Sequence, residues 1–576
     1  MARLYSIEIE HFRGIRKLSH TFGKESLYCF IGRGDSGKST ILDAIYYVLS
    51  PVWNESFNDG DFYNCDHSQS IRIRATLVDI PTEFASDRRF YEYLKSYDPA
   101  EHTVSEAIDE DIPEDQVREH ALTVQLYVTK DLEPDWQVIC DRHEEGKPIS
   151  HTDRKKLNVF VVSDSVDRHF QWTKWNPLHH LYAKSQVEEV DDDNVVLEIL
   201  RNAKQSFDLN PFDKFAETTN KVIELAKMFG MELPNTKTTI DFRDIVVKDG
   251  RFSLHDDNLP FRLKGRGSKR LISMAIQSAL CKDGGIMLID EFEQGLESFR
   301  VKHAVATLNR DSRAQVFLTT HSNHVLEELG ATSLLLMKKD ADDLITFSSD
   351  CNGLIRSNPQ VFFHERVLVC EGKTEIGISR AIDTWLRQNK GSSLALREIG
   401  IAFGGGNELV RHCRALATGK FDTLLFCDSD EKVTNEKKEE LKGIGIVIAD
   451  FDPGESIENA AVEALNDDGL RKFLNLASSL KAESEGIPLT DARSHLWQSV
   501  TSKLKADGLD PENIPFGSPQ CRAAIASRAK TKKWFKTIEG GEALGDLLLE
   551  RVELEGDSSI SRVLSNLIQW TEKNNG

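Results

Sequence analysis

Gly32-Arg33-Gly34-Asp35-Ser36-Gly37-Lys38-Ser39 fits the pattern GxxxxGK[ST], and its flanks decide how it is read. A short apolar run, Leu27–Ile31, leads into it. After it, Ile41, Leu42, Ile45, Val48 and Leu49 recur at helical spacing until Ser50-Pro51 stops the helix. Strand, glycine turn and helix in that order place backbone N–H groups and a helix N-terminus around phosphate. Gly32, Gly34, Asp35, Ser36 and Gly37 shape the turn, Lys38 meets the β- and γ-phosphates, the Ser39 hydroxyl ligates Mg2+, and Thr40 follows in the first helical turn. The ligand expected here is ATP with Mg2+ or Mn2+.

The chain around this loop has 576 residues, too many for one core, and about three or four units are expected. A hydrophobic fraction of 40% with 29% charged residues is an ordinary globular balance. No apolar run approaches the ~20 residues that cross a bilayer, so no membrane is expected. The start, Met-Ala-Arg-Leu-Tyr-Ser-Ile-Glu, has no apolar signal core, and none of the nine cysteines forms a CxxC pair. A reduced, cytoplasmic setting is expected. The net charge of −21 argues against a general nucleic-acid coat. One basic run stands out: Arg522, Arg528, Lys530, Lys532, Lys533 and Lys536, with no acid between Cys521 and Thr537.

Three further pieces lie downstream of the loop. Gly285-Ile-Met-Leu-Ile-Asp290-Glu291 is an apolar strand ending in two carboxylates, one to hold Mg2+ (Asp290) and one to polarise water (Glu291). Gln315-Val-Phe-Leu-Thr-Thr-His321-Ser322 is another strand, ending in a histidine. Lys264-Gly265-Arg266-Gly267-Ser268-Lys269-Arg270 opens a helix carrying Leu271, Ile272, Ala275 and Ala279. In this order the pieces resemble ABC-class ATPases of the SMC and RecF type. The resemblance implies that Arg13 reaches the nucleotide and that residues 265–268, with Gly267 and Ser268, form the signature segment. It makes Glu291 the catalytic acid, Gly295-Leu296 the following loop and His321 the switch histidine. The chain departs from that group at Gly34, where Asn is usual, and in a signature reading KGRGS. Signatures of this class close on a partner's nucleotide, so a homodimer or higher homo-oligomer is implied.

Strand and helix patterns alternate again beyond a boundary near 355–362: strand 367–369, helix 376–386, strand Ile399–Phe403, helix 408–416, and strands 423–426 and 444–448. Here Cys370-Glu371-Gly372-Lys373-Thr374-Glu375 follows one strand and Cys427-Asp428-Ser429-Asp430 another. Strand-end acids of a parallel sheet converge at its C-terminal edge, and several hard oxygen ligands there suit Mg2+ or Mn2+ and phosphodiester hydrolysis. The pair resembles the Toprim domain, which makes Glu371 an acid–base or metal-binding residue and Asp428 and Asp430 metal ligands. ATPase followed by Toprim resembles the OLD (overcoming lysogenization defect) family of nucleases, similar in layout to the Gabija nuclease. That resemblance adds Glu375 and Glu458 as metal-site residues and Lys533 or Lys536 as the lysine on the scissile phosphate. It also makes the basic run a DNA-contact face.

The fold expected is α/β: ABC ATPase in 1–165 and 241–358, a helical dimerisation insertion in 166–240, and a Toprim (Rossmann-like) nuclease domain in 359–576. Residues of about 100–155 read as acidic and irregular. The function implied is an ATP-binding and hydrolysing, metal-dependent DNA endonuclease in defence against phage or foreign DNA, with room for a co-encoded defence partner. Two other readings stay open: a RecF-like ATP-driven DNA clamp or sensor with a non-catalytic Toprim docking module, and a Toprim RNase.

Overall fold

A computed structural model describes residues 2–106, 119–162, 169–170, 176–184, 213–241, 251–281, 284–311, 313–429 and 433–573. The chain forms two units, Met1–Thr346 and Phe347–Gly576. The division falls earlier than the expected boundary at 358/359. Turn residues suggested a linker, but Asn358 is part of the second unit's sheet edge. Its side chain donates to Phe403 O at 3.0 Å and accepts from Phe403 N at 2.7 Å. Phe347 and Phe362 pack edge to face at 5.4 Å, and Phe362 meets Phe421 at 6.0 Å.

In the first unit a six-stranded sheet runs in the order Val159–Val162, Ile286–Ile289, Gln315–Thr319, Leu27–Ile31, Leu334–Leu336, Ile345–Thr346 among the described residues. Its first five strands are parallel. They read as continuous apolar runs because both faces are covered; Leu27–Ile31, Ile286–Ile289 and Gln315–Thr319 are buried throughout. Ile289 pairs with Leu318, and Thr319 with Phe30. The three chains therefore leave the sheet side by side at its C-terminal edge, which brings Gly32, Asp290 and Thr320 to one place.

A second sheet is antiparallel and starts with Arg3–Phe12. Leu4 is buried and then Ile7 and Ile9, because a register shift between Leu4 and Ser6 changes the face presented; Phe12 is buried as well. The region of 100–155, expected to be irregular, supplies the strands Thr103–Ser105, Glu119–Val128 and Pro134–Ile139 to this sheet. Leu122, Val124, Leu126 and Val128 alternate into the core, a pattern masked by the surrounding acids.

The expected dimerisation insertion holds the helices Pro177–Lys184 and Asp213–Met228; Asp191, Asp192, Asp193 and the apolar set Val196, Leu197 and Leu200 lie outside the described residues. The second helix buries Val222 and Ala226, and Phe229 beyond it is buried too, within this chain. It packs on the helix Arg266–Leu280. That apolar face already has a partner and does not call for a second subunit.

The second unit is built on a parallel four-stranded sheet ordered Ile399–Phe403, Arg366–Cys370, Asp422–Cys427, Val447–Asp450. The last strand starts later than the expected 444. Ile446 N still bonds Leu441 O, closing the helix Asn435–Gly443, and Gly445 turns at φ +90°. The strand therefore ends on an acid, Asp450. Outside the sheet, the helices Lys373–Lys390 and Ile538–Arg551 approach backbone to backbone. A Cβ on Gly377 would lie 2.3 Å from Ile538 O, and one on Gly541 2.4 Å from Thr374 O. Gly541→Leu should therefore lower the melting temperature of this unit, with a loss of roughly 1–3 kcal/mol or more from overpacking. Gly443→Ala, where an added Cβ meets nothing within 4 Å, should leave it unchanged. Equal melting of the two variants in a thermal scan would contradict the packing account.

Candidate functional sites

The phosphate loop follows Ile31 with a backbone that only glycine adopts easily at two points. Gly32 has φ +136°, and a Cβ there would meet Met337 O at 2.4 Å; Gly37, φ +100°, starts the helix Lys38–Leu49. Asp35 is also left-handed, at φ 57°. A Cβ on Gly34 meets nothing within 4 Å, so the departure at this position is sterically neutral. Ser36 Oγ is buried without a hydrogen-bond partner, an unmet polar atom inside a turn built for phosphate. Lys38 Nζ donates to the loop's own carbonyls, Gly32 O at 3.1 Å and Arg33 O at 2.5 Å. Burial pulls the Lys38 pKa down, against the charges of Asp290 and Asp35. Thr40 lies in the first turn of the helix.

The two residues expected to hold Mg2+ meet: Ser39 Oγ donates to Asp290 Oδ1 at 3.0 Å. Thr319 Oγ1 donates to the same oxygen at 2.5 Å and accepts from Glu291 N at 2.8 Å. Glu291 sits exposed with φ 44°. Glu293, which the sequence motifs did not single out, accepts from Thr320 Oγ1 at 2.6 Å and from the backbone N–H of exposed His321 at 2.7 Å. The signature segment lies against the loop after Glu291 in the same chain. A Cβ on Gly267 would be 2.2 Å from Gly295 O, with Gly295 at φ +73°; Ser268 follows in the same helix turn. Arg270, buried one turn on, donates to the carbonyls of Asp290 and, at 2.9 Å, of Glu291. A charged residue in an otherwise apolar helix face was the available signal for it. Arg13 is held by carboxylates of its own chain: Nε donates to Asp61 Oδ1 at 2.8 Å, and Nη1 to Asp43.

In the second unit Glu371 continues the ladder of its strand, its N–H bonding Phe426 O at 3.0 Å. Its Oε2 accepts from Asp428 N at 3.1 Å across the two strand ends. Asp428 Oδ1 accepts from Ile457 N at 2.9 Å, at the start of the helix Ile457–Ala464, which places Glu458 beside it. Glu375 stands in the first turn of the helix Lys373–Lys390, folded back so that its Oε2 would be 3.0 Å from a Cβ on Gly372. All four carboxylates are buried, and Glu458 is 0% exposed. Lys536 Nζ lies 3.5 Å from Glu458 Oε1 and 3.8 Å from Asp428 Oδ2. Beyond that ion pair with Lys536, neither Glu458 oxygen accepts a hydrogen bond. Thr374 Oγ1 donates to Phe535 O at 3.0 Å and so fixes the segment that carries Lys536.

Burial, then the charge of Asp428, pushes Glu375 up to about 7. Burial, then Glu458 and Glu371 against the opposing Lys536, pushes Asp428 up to about 6. Lys536 is pulled down by burial, but Glu458, Asp428 and Glu375 outweigh this and hold it protonated. Asp430 lies outside the described residues. Of the two candidate lysines, Lys536 ion-pairs with the cluster, whereas Lys533 is exposed with φ 56°. The basic run is not one solvated face. Arg522 donates to Val462 O at 2.7 Å and Gly517 O at 2.8 Å, and Arg528 to Ser499 O at 3.0 Å. Two of its cations thus satisfy backbone carbonyls.

A third strand-end acid was missed. Asp450 Oδ2 accepts from buried Lys438 Nζ at 2.7 Å, and Ser429 Oγ lies 3.3 Å from the same ammonium. Ser429 N bonds Glu455 O and Gly454 N bonds Ser429 O, strapping the loop after Asp428 to the loop before Glu458. Among the described residues, no three His, Cys, Asp or Glu groups stand close enough as they are to ligate a metal ion. Buried acids with unmet oxygens nonetheless fit a divalent cation chemically, since one ammonium does not balance four carboxylates.

No described helix is long and apolar enough to cross a membrane. No curated protein matches the chain. Among solved structures, the chain is similar to the Smc head domain of Pyrococcus furiosus bound to the C-terminal domain of ScpA. That match is 15% identical with TM-score 0.38 over 60% of this chain and 97% of that one. The SMC head domain from Thermotoga maritima matches at 13% identity and TM-score 0.29 over 60% and 99%. The recombination mediator protein RecF–ATPrS matches at 15% identity and TM-score 0.33 over 60% and 98%. A family model described as "AAA domain, putative AbiEii toxin, Type IV TA system" matches residues 27–327, a span that takes in the phosphate loop, Asp290, Glu291 and His321. That span is more than half of the 576 residues, and the chain belongs to this AbiEii-type AAA-domain family, with an ATP-binding ATPase domain in its first unit.

Proposed function

We propose that this ATPase controls a metal-dependent DNA endonuclease of OLD type, with residues 347–576 as a Toprim nuclease domain and defence against foreign DNA as its setting. The observation that carries the reading is the cluster around Lys536 of Glu371 and Asp428, at the C-terminal ends of adjacent parallel strands, with Glu375 and Glu458 from the first turns of two helices, all four buried. Glu371, Asp428, Glu458 and, on sequence grounds, Asp430 would hold Mg2+ or Mn2+, with Glu375 beside them. A bound divalent cation supplies charge neutralisation and a more acidic coordinated water. The chain's own residues do the rest. Lys536 counters charge on the scissile phosphate. Glu375, raised to about 7, exchanges a proton near neutral pH. In the first unit Lys38 meets the β- and γ-phosphates, Ser39 and Asp290 hold the nucleotide's metal, and Glu291 orients the attacking water. Nucleotide state gates cleavage by biasing the chain between conformations, and assembly as a homodimer completes the ATP site with residues 265–268 of a second copy.

Among the described residues no three ligating groups converge as they stand, which leaves one other reading open, a RecF-like clamp in which the second unit only docks DNA. Nicking of supercoiled plasmid by the purified chain with Mg2+ or Mn2+ separates the two. Asp428→Ala should abolish nicking while ATP hydrolysis continues, and Lys536→Ala should slow it at least about tenfold more than Lys533→Ala. Nicking at the parental rate by Asp428→Ala would remove the nuclease reading; cleavage of RNA in preference to DNA would move the substrate to the RNase class.

Lys38→Ala should abolish ATP hydrolysis. Glu291→Gln should bind ATP yet turn over roughly a hundredfold more slowly. Hydrolysis at the parental rate by Lys38→Ala would contradict the loop's assignment.

Stability should also depend on pH. Glu375 is raised to about 7 from an ordinary 4.5, so the folded state binds the proton more tightly than the unfolded chain. The penalty is full above about pH 7 and is relieved as pH falls towards the unfolded value. Without metal, the melting temperature of the second unit should rise on going from about pH 8 to about pH 6, and saturating Mn2+ should flatten that slope. A metal-free melting temperature that climbs towards about pH 8 would contradict the burial of these acids.

A further inference from the structure

The loops carrying Glu291 and His321 follow neighbouring parallel strands, Ile286–Ile289 and Gln315–Thr319. Hydrogen bonds zip them together in both directions. Nearest the sheet, Phe292 N bonds Thr319 O at 2.9 Å, and Thr319 Oγ1 bridges Asp290 and Glu291 N. Farther out a single side chain takes over. Glu293 Oε2 accepts from Thr320 Oγ1 at 2.6 Å and Oε1 from His321 N at 2.7 Å. The Thr320 hydroxyl accepts in turn from Ser322 N at 3.0 Å, where the helix Asn323–Glu328 begins. The carboxylate therefore fixes residues 320–322 from the loop that bears Glu291, and its charge also supports protonation of Lys38.

We infer that Glu293 is a positioning residue for ATP hydrolysis, holding the His321 loop against the Glu291 loop so that both reach the nucleotide in one arrangement. The inference rests on reading Glu291 and His321 as the hydrolytic acid and the switch histidine. Both bonds lie outside the groups read as phosphate contacts, the loop of residues 32–39 with Lys38, so loss of Glu293 should act on turnover more than on binding. A glutamine at this position keeps an acceptor for His321 N and can donate to the Thr320 hydroxyl, so most of the zip survives there.

Steady-state ATP hydrolysis by the full chain tests this. Glu293→Ala should lower kcat at least about tenfold with KM within about twofold, and Glu293→Gln should recover most of the loss. Thr320→Val, which removes one bond and leaves the carboxylate, should fall between them. In a His321→Ala background, Glu293→Ala should add less than about twofold, because the residue it positions is gone. Glu291→Gln and His321→Ala alone test the underlying reading: either one turning over at the parental rate overturns it whatever Glu293 does. If both slow hydrolysis while Glu293→Ala does not, or if Glu293→Ala costs the same factor with and without His321, the positioning role is wrong.

Discussion

Four buried carboxyls share one ammonium among the described residues of the second unit, and the rest of that unit is arranged to keep them there. Burial raises two of them, Glu375 to about 7 and Asp428 to about 6, and leaves Glu458 with unmet oxygens. Such a cluster opposes folding unless protons or cations enter it. Its geometry is nevertheless over-determined. Glycine contacts lock the helix of Glu375 to the helix after Lys536, and Thr374 ties down Phe535. The loop before Glu458 is strapped to the loop after Asp428. Structure held this firmly around an unfavourable charge arrangement supports the proposed reading of the cluster as a site.

The first unit obeys a different constraint, the register of its parallel strands. Pairing of Ile289 with Leu318 and of Thr319 with Phe30 delivers a phosphate loop, two acids and a threonine–histidine loop to one edge. Side chains then join the three. Ser39 meets Asp290, Thr319 meets both Asp290 and Glu291, and Arg270 ties their carbonyls to the helix that follows Gly265. Any displacement of one loop is felt by the others.

What the sequence discloses follows the range of the interactions. The phosphate loop is local, and strand, glycine turn and helix can be read in one pass; Gly32 and Gly37 have the positive φ that their type suggests. The strand-end acids Glu371 and Asp428 are also visible, because an apolar run that ends in a carboxylate marks the edge of a parallel sheet. Glu293 and Arg270 are not visible, since their partners lie in other segments and only the sheet brings them together. Asp450 was hidden by an apolar stretch that looked like a strand from 444 but starts it three residues later, at Val447. Asn358 looked like linker and is a clamp on the edge strand. Arg522 and Arg528 looked like a DNA face and cap backbone carbonyls, because charge runs carry no information on which way a side chain turns.

The most direct measurement is the proton balance of cation binding at the carboxylate cluster: calorimetric titration of nucleotide-free protein with Mn2+ at about pH 6.5 in buffers of differing ionisation enthalpy. Glu375, raised to about 7, is mostly protonated there and Asp428, raised to about 6, only in part, and a cation must displace those protons, so the account predicts saturable binding with net proton release. Both should be lost in Glu458→Gln. Binding that releases no proton, or that persists unchanged in Glu458→Gln, would contradict a cation site built from these four acids.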